Sequence, residues 1–95
     1  MSAYWIAIYH EVTDDQKMAA YAELALPAIE AGGGRFLTRG LPEHTYEAGR
    51  VTRTVMIEFP DMESARATHD SPAYQEALIA LDGAAVRDIR LVPGA

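Results

Sequence analysis

The chain has no cysteine. That excludes a disulfide framework, a thiolate nucleophile and any zinc or iron–sulfur site built on cysteine. Long apolar runs are missing too: the longest, Ala3 to Tyr9, is seven residues, against the roughly 20 a membrane-spanning helix needs. No basic stretch followed by an apolar core stands near the N-terminus, so no signal peptide is read and a cytoplasmic setting is expected. Positive charge is scarce. Eight Lys and Arg stand against 14 Asp and Glu, a net charge of −6, which repels nucleic-acid phosphates and anionic membranes. Neither is expected as a partner. What is present is 95 residues, 49% hydrophobic and 23% charged, the balance of one globular domain covering residues 1–95.

The first segment, Ala3-Tyr4-Trp5-Ile6-Ala7-Ile8-Tyr9, is apolar throughout and rich in aromatic and β-branched side chains, which predicts a strand covered on both faces. Thr13-Asp14-Asp15-Gln16 matches a capping box, with Thr13 and Gln16 satisfying each other's backbone donors. Met18, Tyr21, Ala22, Ala25 and Ile29 then recur at helical spacing as far as Ala31. Pro27 lacks the N–H for the preceding turn and predicts a kink or a new helix start. Gly32-Gly33-Gly34 ends the helix. Arg35 to Arg39 alternates cations with apolar residues as a second strand, and Leu41 to Arg50 reads as a hairpin connection in which His44 to Glu47 extends the pairing. Val51 to Phe59 is a third strand, with Val51, Val55, Ile57 and Phe59 on one face and Thr52, Thr54, Met56 and Glu58 on the other. Asp61 caps a short helix through Thr68, Ser71-Pro72 starts another that runs to Leu81 or Asp82, and Val86 to Val92 is the last strand.

The order β-α-β-β-α-β is that of the ferredoxin-like α+β sandwich, with helices on one face of a four-stranded antiparallel sheet. Its other face then exposes Tyr4, Ile6 and Ile8, or alternatively Trp5, Ala7 and Tyr9, together with Met56. A contiguous apolar patch of that kind marks an interface, and two-fold self-association is the commonest way to cover it. A homodimer is expected. Ferredoxin-like sheets that bind RNA carry exposed aromatics flanked by cations, whereas the first and third strands here offer only Arg53.

Four strings stand in order: Tyr4-Trp5-Ile6-Ala7, Gly33-Gly34-Arg35-Phe36-Leu37-Thr38-Arg39-Gly40, Val55-Met56-Ile57-Glu58-Phe59-Pro60 and Asp70-Ser71-Pro72-Ala73-Tyr74-Gln75. Together they resemble the bacterial domain-of-unknown-function family 1330 over nearly the whole chain. The resemblance implies the dimeric α/β-barrel superfamily, in which two ferredoxin-like sheets face each other. That superfamily holds cofactor-free monooxygenases, haem-degrading enzymes, lactone isomerases and dye-decolourising peroxidases, beside members without known activity. It implies an uncharacterised dimeric domain that binds a small organic molecule. The alternative is a cofactor-independent enzyme, monooxygenase-like or isomerase-like.

Two residues are the candidates for catalysis. Glu58 interrupts an apolar strand, where burial would raise its pKa and suit it to acid–base work. The competing assignment is an ion pair with Arg35 or Arg39, beside Tyr4. His69 stands in the break between two helices beside Asp70, a carboxylate able to orient an imidazole. Its competing assignment is a surface histidine at a helix joint. For ligand binding the candidates are Arg39, whose guanidinium suits a carboxylate, and Trp5 and Tyr74, which otherwise pack the core. Arg35 shares the chemistry of Arg39, and Tyr9 that of Trp5. His10, His44 and His69 have no metal-ligand spacing, and Gly32-Gly33-Gly34 follows a helix instead of opening one. No metal or cofactor is expected.

Overall fold

Backbone pairing builds one sheet from four segments: β1 (Ala3–Val12), β2 (Arg35–Gly40), β3 (Thr54–Phe59) and β4 (Ala85–Pro93). A computed structural model describes all of residues 1–95. All neighbours are antiparallel, in the spatial order β2-β3-β1-β4. Helices α1 (Asp15–Ala31), α2 (Met62–Asp70) and α3 (Pro72–Leu81) complete the ferredoxin-like order, the second helical segment being split in two. Ser71 makes that split: its hydroxyl donates to the Thr68 carbonyl at the end of α2 and accepts from the Tyr74 N–H at the start of α3. Asp61 caps α2 through the Ser64 N–H, as the sequence predicts.

Alternation decides the faces. Ala3, Trp5, Ala7 and Tyr9 of β1 and Val55, Ile57 and Phe59 of β3 are buried under the helices. Trp5, Tyr74 and Phe59 are the largest fully buried side chains, with Trp5 stacked on Phe59 and meeting Tyr74 edge-on at 5.0 Å between centroids. The opposite face of the sheet carries Tyr4, Ile6, Ile8, Thr54, Met56 and Glu58, none of them fully buried in the single subunit. Of the two sets offered by the first strand, this settles the open one as Tyr4, Ile6 and Ile8.

Four local expectations are corrected. The cap of α1 is Asp14, which accepts from the N–H groups of Gln16 and Lys17; Thr13 instead donates to the Ala84 carbonyl, joining β1 to the start of β4. Pro27 starts no second helix: α1 runs unbroken from Asp15 to Ala31. Pro27 lies with Glu23 on the solvent side, so the carbonyl that loses its partner can be hydrated. Residues His44 to Glu47 add no strand pairing: Glu47 adopts a positive φ of 53° and Gly49 turns back to the Tyr46 carbonyl. Finally, β3 begins at Thr54 and not at Val51, because its partner β2 ends at Gly40, opposite Thr54.

A fifth departure bears on function. Between Phe36 and Thr38 the β2–β3 register slips by one residue, with Leu37 as the extra one. Simple alternation would put Arg35 and Arg39 on the same face. The bulge separates them: Arg35 pairs with Glu58 on the open face, while Arg39 pairs with Val55 and turns under the helices beside Phe36.

At the end of α1 the backbone turns at Gly33 with φ 95°, and Gly32 lets α1 close on α2: a Cβ there would stand 1.8 Å from Thr68 Oγ1. Gly32→Ala is therefore expected to cost about 1–3 kcal/mol through overpacking, read as a lower midpoint in urea. Adding Thr68→Ala should recover part of the loss, and no recovery would show that the contact is not the cause.

Candidate functional site

Three tyrosines from three elements converge on one arginine. Tyr9 stands on β1, Tyr21 on α1 and Tyr74 in the first turn of α3, and all three are buried. Arg87 of β4, directly opposite Tyr9 in the sheet register, donates from Nη1 to the Tyr9 hydroxyl at 3.1 Å and the Tyr21 hydroxyl at 2.9 Å. Its Nη2 donates to the Tyr74 hydroxyl at 2.9 Å. The hydroxyls of Tyr21 and Tyr74 bond each other at 2.7 Å. The guanidinium also lies over the Tyr21 ring at 4.6 Å from its centroid.

Electrostatics follow from that geometry. Burial works against the charge on Arg87, but the phenol oxygens of Tyr21 and Tyr74 more than offset it, and the guanidinium stays ionised. Burial pushes the Tyr74 hydroxyl well above the ordinary tyrosine range, with Tyr21 adding to the effect and Arg87 opposing it. Tyr74 is therefore a neutral hydrogen-bonding group. The ion pairs of the chain are Lys17–Asp82, Arg35–Glu58 and Arg90–Asp88, and the His69 ring lies against the Asp70 carboxylate. Arg87 has no carboxylate partner.

Arg87 forms the inner end of a cleft between α1 and the sheet, with about 430 Å³ of space unfilled by atoms, its mouth included. Arg39 and Arg53 line the same cleft. Arg53 precedes β3, and its carbonyl accepts from the Tyr9 N–H at 2.9 Å, so Arg53, Tyr9 and Arg87 stand in one row across the sheet. The Arg53 guanidinium lies 5.7 Å from the Tyr9 ring centroid, and its Nε is buried without a hydrogen-bond partner. The remaining walls are apolar, with Trp5, Ala7, Val55 and Ile57 from the sheet and Met18 and Ile29 from α1. No acidic side chain lines the cleft.

The ligand candidates Trp5 and Arg39 both reach this cleft, and Tyr74 reaches it indirectly through its bonds to Arg87 and Tyr21. Glu58 and His69 do not line it. Glu58 is on the open face, where Arg35 Nη2 donates to Oε1 at 2.7 Å and the Tyr4 hydroxyl to Oε2 at 3.2 Å. The bond from Arg35 holds its carboxyl below the ordinary value, against an opposing effect of desolvation, and Tyr4 assists. His69 lies in the last turn of α2, with Nδ1 3.0 Å from Asp70 Oδ1 and its ring packed on Trp5 and Tyr74. Sequence reading singled out neither Tyr21 nor Arg87. The available signal was a basic residue on the last strand at a position whose neighbours, Ile89 and Leu91, belong to the buried face.

Over residues 2–95 the chain matches a family described as domain of unknown function (DUF1330). No curated protein matches the sequence. Among solved structures, a protein of unknown function from Rhodopseudomonas palustris superposes with a TM-score of 0.70 at 20% identity, over 99% of this chain and 83% of that one. A dimeric ferredoxin-like protein of unknown function from Jannaschia sp. gives 0.69 at 15% identity, covering 99% and 100%. A variant of a cofactor-independent oxygenase from Streptomyces nogalater gives 0.66 at 13% identity, covering 98% and 92%. At these identities the likeness establishes the ferredoxin-like fold.

Two consequences are measurable. Tyr74→Phe removes an acceptor of Arg87 and a partner of Tyr21, and should cost about 1–3 kcal/mol in urea unfolding; no loss would mean that Arg87 is solvated some other way. Because the folded pKa of Glu58 lies below its ordinary 4.5, its ionisation adds stability that is full above that value and fades as pH falls through the folded one. Glu58→Gln should therefore melt slightly lower than the parent at pH 7, the gap closing toward pH 3. A gap independent of pH would exclude the ion pair as its source.

Proposed function

The chain belongs to the family defined by domain of unknown function DUF1330, and from that premise we propose that it is a single-domain subunit of a homodimeric α/β barrel that binds a small organic molecule. The observation that carries the binding reading is the cleft between α1 and the sheet, where apolar walls surround polar groups left without protein partners. Small-molecule sites have this makeup: mostly apolar, with a few placed polar groups that fix orientation. Supporting the dimer is the open sheet face, where Tyr4, Ile6, Ile8 and Met56 form an apolar band that a second sheet would cover. In this reading Trp5 forms the cleft wall, Arg39 its edge, and Tyr74 braces Arg87. Glu58 and His69 serve structure, the first pairing with Arg35 and the second closing a helix joint.

The enzymatic alternative draws on one observation, the fold shared with a cofactor-independent oxygenase. Any acid–base chemistry in the cleft would then fall to the hydroxyls of Tyr9 and Tyr21, which line it.

Two measurements test the proposal. Light scattering at micromolar concentration should give twice the 10.4 kDa chain mass, and Ile6→Lys or Ile8→Lys should yield a folded monomer with unchanged far-UV circular dichroism. A monomeric parent protein would defeat the dimer. For the cleft, Trp5 is the only tryptophan and forms its wall, so its fluorescence reports occupancy during a small-molecule screen. Ala22→Trp, at an exposed position of the cleft lining on α1, should abolish the melting-temperature increase caused by a hit. A hit that raises the melting temperature equally in this variant binds elsewhere.

A further inference from the structure

The cleft is an unusual place for cations. The chain carries a net charge of −6, yet Arg39, Arg53 and Arg87 line one slot, none of them belongs to an ion pair, and no acidic side chain faces them. Local charge therefore opposes the overall charge, a pattern that draws an anion to this one place.

A count of hydrogen-bond donors points the same way. A guanidinium has five N–H donors and no acceptor; Arg87 directs three of them to the hydroxyls of Tyr9, Tyr21 and Tyr74. Each hydroxyl accepts from Arg87 and still owns a hydrogen. The Tyr21–Tyr74 bond uses one of these hydrogens, which leaves the hydrogen of Tyr9 and that of one other tyrosine without a protein acceptor. The buried Nε of Arg53 is a further donor without a partner. Donors and positive charge are in surplus along the slot, and acceptors are missing. Leaving buried donors unpaired costs on the order of 1–3 kcal/mol each, so a ligand that supplies acceptors is strongly favoured.

Resting on the reading of this cleft as a ligand site, we infer that its ligand is a small carboxylic acid bound as the carboxylate, with a flat apolar or aromatic body. The carboxylate takes the free donors along the row of Arg53, Tyr9 and Arg87, where its two oxygens offer about four acceptor positions and accept guanidinium bidentately. The body runs between Trp5, Val55 and Ile57 on the sheet and Met18 on α1. The slot between α1 and the sheet is narrow, which favours a planar body over a bulky one. Arg39, on the exposed edge strand, adds attraction at the mouth. A phosphate ester is disfavoured by the absence of backbone donors: no helix N-terminus or glycine turn lines the cleft.

The test is a titration of the dimer or monomer, whichever the protein forms, with matched probes followed by Trp5 fluorescence and by isothermal calorimetry. The probes are benzoate, phenylacetate and 2-naphthoate, their neutral carboxamides, and phenyl phosphate. Expected is at least one carboxylate that binds about tenfold more tightly than its amide. Arg53→Gln should erase most of that preference, and Arg39→Gln should reduce it in part. Arg39 sits on an exposed edge, so its variant keeps the test valid should changes at Arg53 or Arg87 unfold the chain. Equal binding of acid and amide would overturn the carboxylate assignment and leave the cleft as a neutral-ligand site. Tighter binding of phenyl phosphate than of every carboxylate would overturn it in favour of a phosphate ester. Binding by none of the probes at millimolar concentration would overturn the cleft reading itself.

Discussion

The guanidinium of Arg87 has been taken largely out of water and given phenols, not a carboxylate, as its surroundings. Removing a cation from water costs several kcal/mol even after relaxation, and hydrogen bonds to a charged group return roughly 1.5–3 kcal/mol each. Three such bonds, from β1, α1 and α3 to a residue on β4, offset the cost only if all three elements hold their positions. One residue thus links the central strand, an outer strand and two helices. An aspartate in place of one tyrosine would neutralise the charge and close the site. Neutral phenols stabilise the cation without cancelling it, so the positive charge remains available at the inner end of the cleft.

The two faces of the sheet divide the chemistry between them. Under the helices lie Trp5, Phe59 and Tyr74, the apolar mass of the core, with the arginine cleft between α1 and the sheet. On the open face the charges are paired, Arg35 with Glu58 and Arg90 with Asp88, around the apolar band of Tyr4, Ile6, Ile8 and Met56. Paired charges beside apolar side chains suit a surface that another sheet covers, because they add no unsatisfied group when water leaves. Unpaired charges beside apolar side chains suit a surface that an anion visits. The bulge at Leu37 is what sends Arg35 to the first kind of surface and Arg39 to the second.

Element order, the caps at Asp61 and Ser71, the helix stop at Gly32-Gly33-Gly34 and the burial of β3's Val55, Ile57 and Phe59 were all legible in the sequence. These depend on neighbours a few residues apart: caps, turns and alternation are local physics. The two-sided apolarity of Ala3 to Tyr9 already marked both faces of the first strand. Local signals misled where a distant partner competed. Thr13 looked like a cap until the Ala84 carbonyl, 71 residues away, claimed its hydroxyl, and Asp14 took its place.

The site was legible only in part. Trp5, Arg39 and Tyr74 could be named from residue type, because aromatic rings and guanidinium have obvious uses. That Arg39 belongs in the cleft depended on a one-residue slip in an edge strand, which no alternation pattern contains. That Tyr9, Tyr21, Tyr74 and Arg87 form one group depended on contacts spanning 13 to 78 residues. The sequence by itself determined which segments fold as strands and helices and which side of each is apolar, since those follow from spacing. Only the tertiary structure decided which polar groups meet, because hydrogen bonds need positions fixed to within a fraction of an ångström by the packing of every element at once.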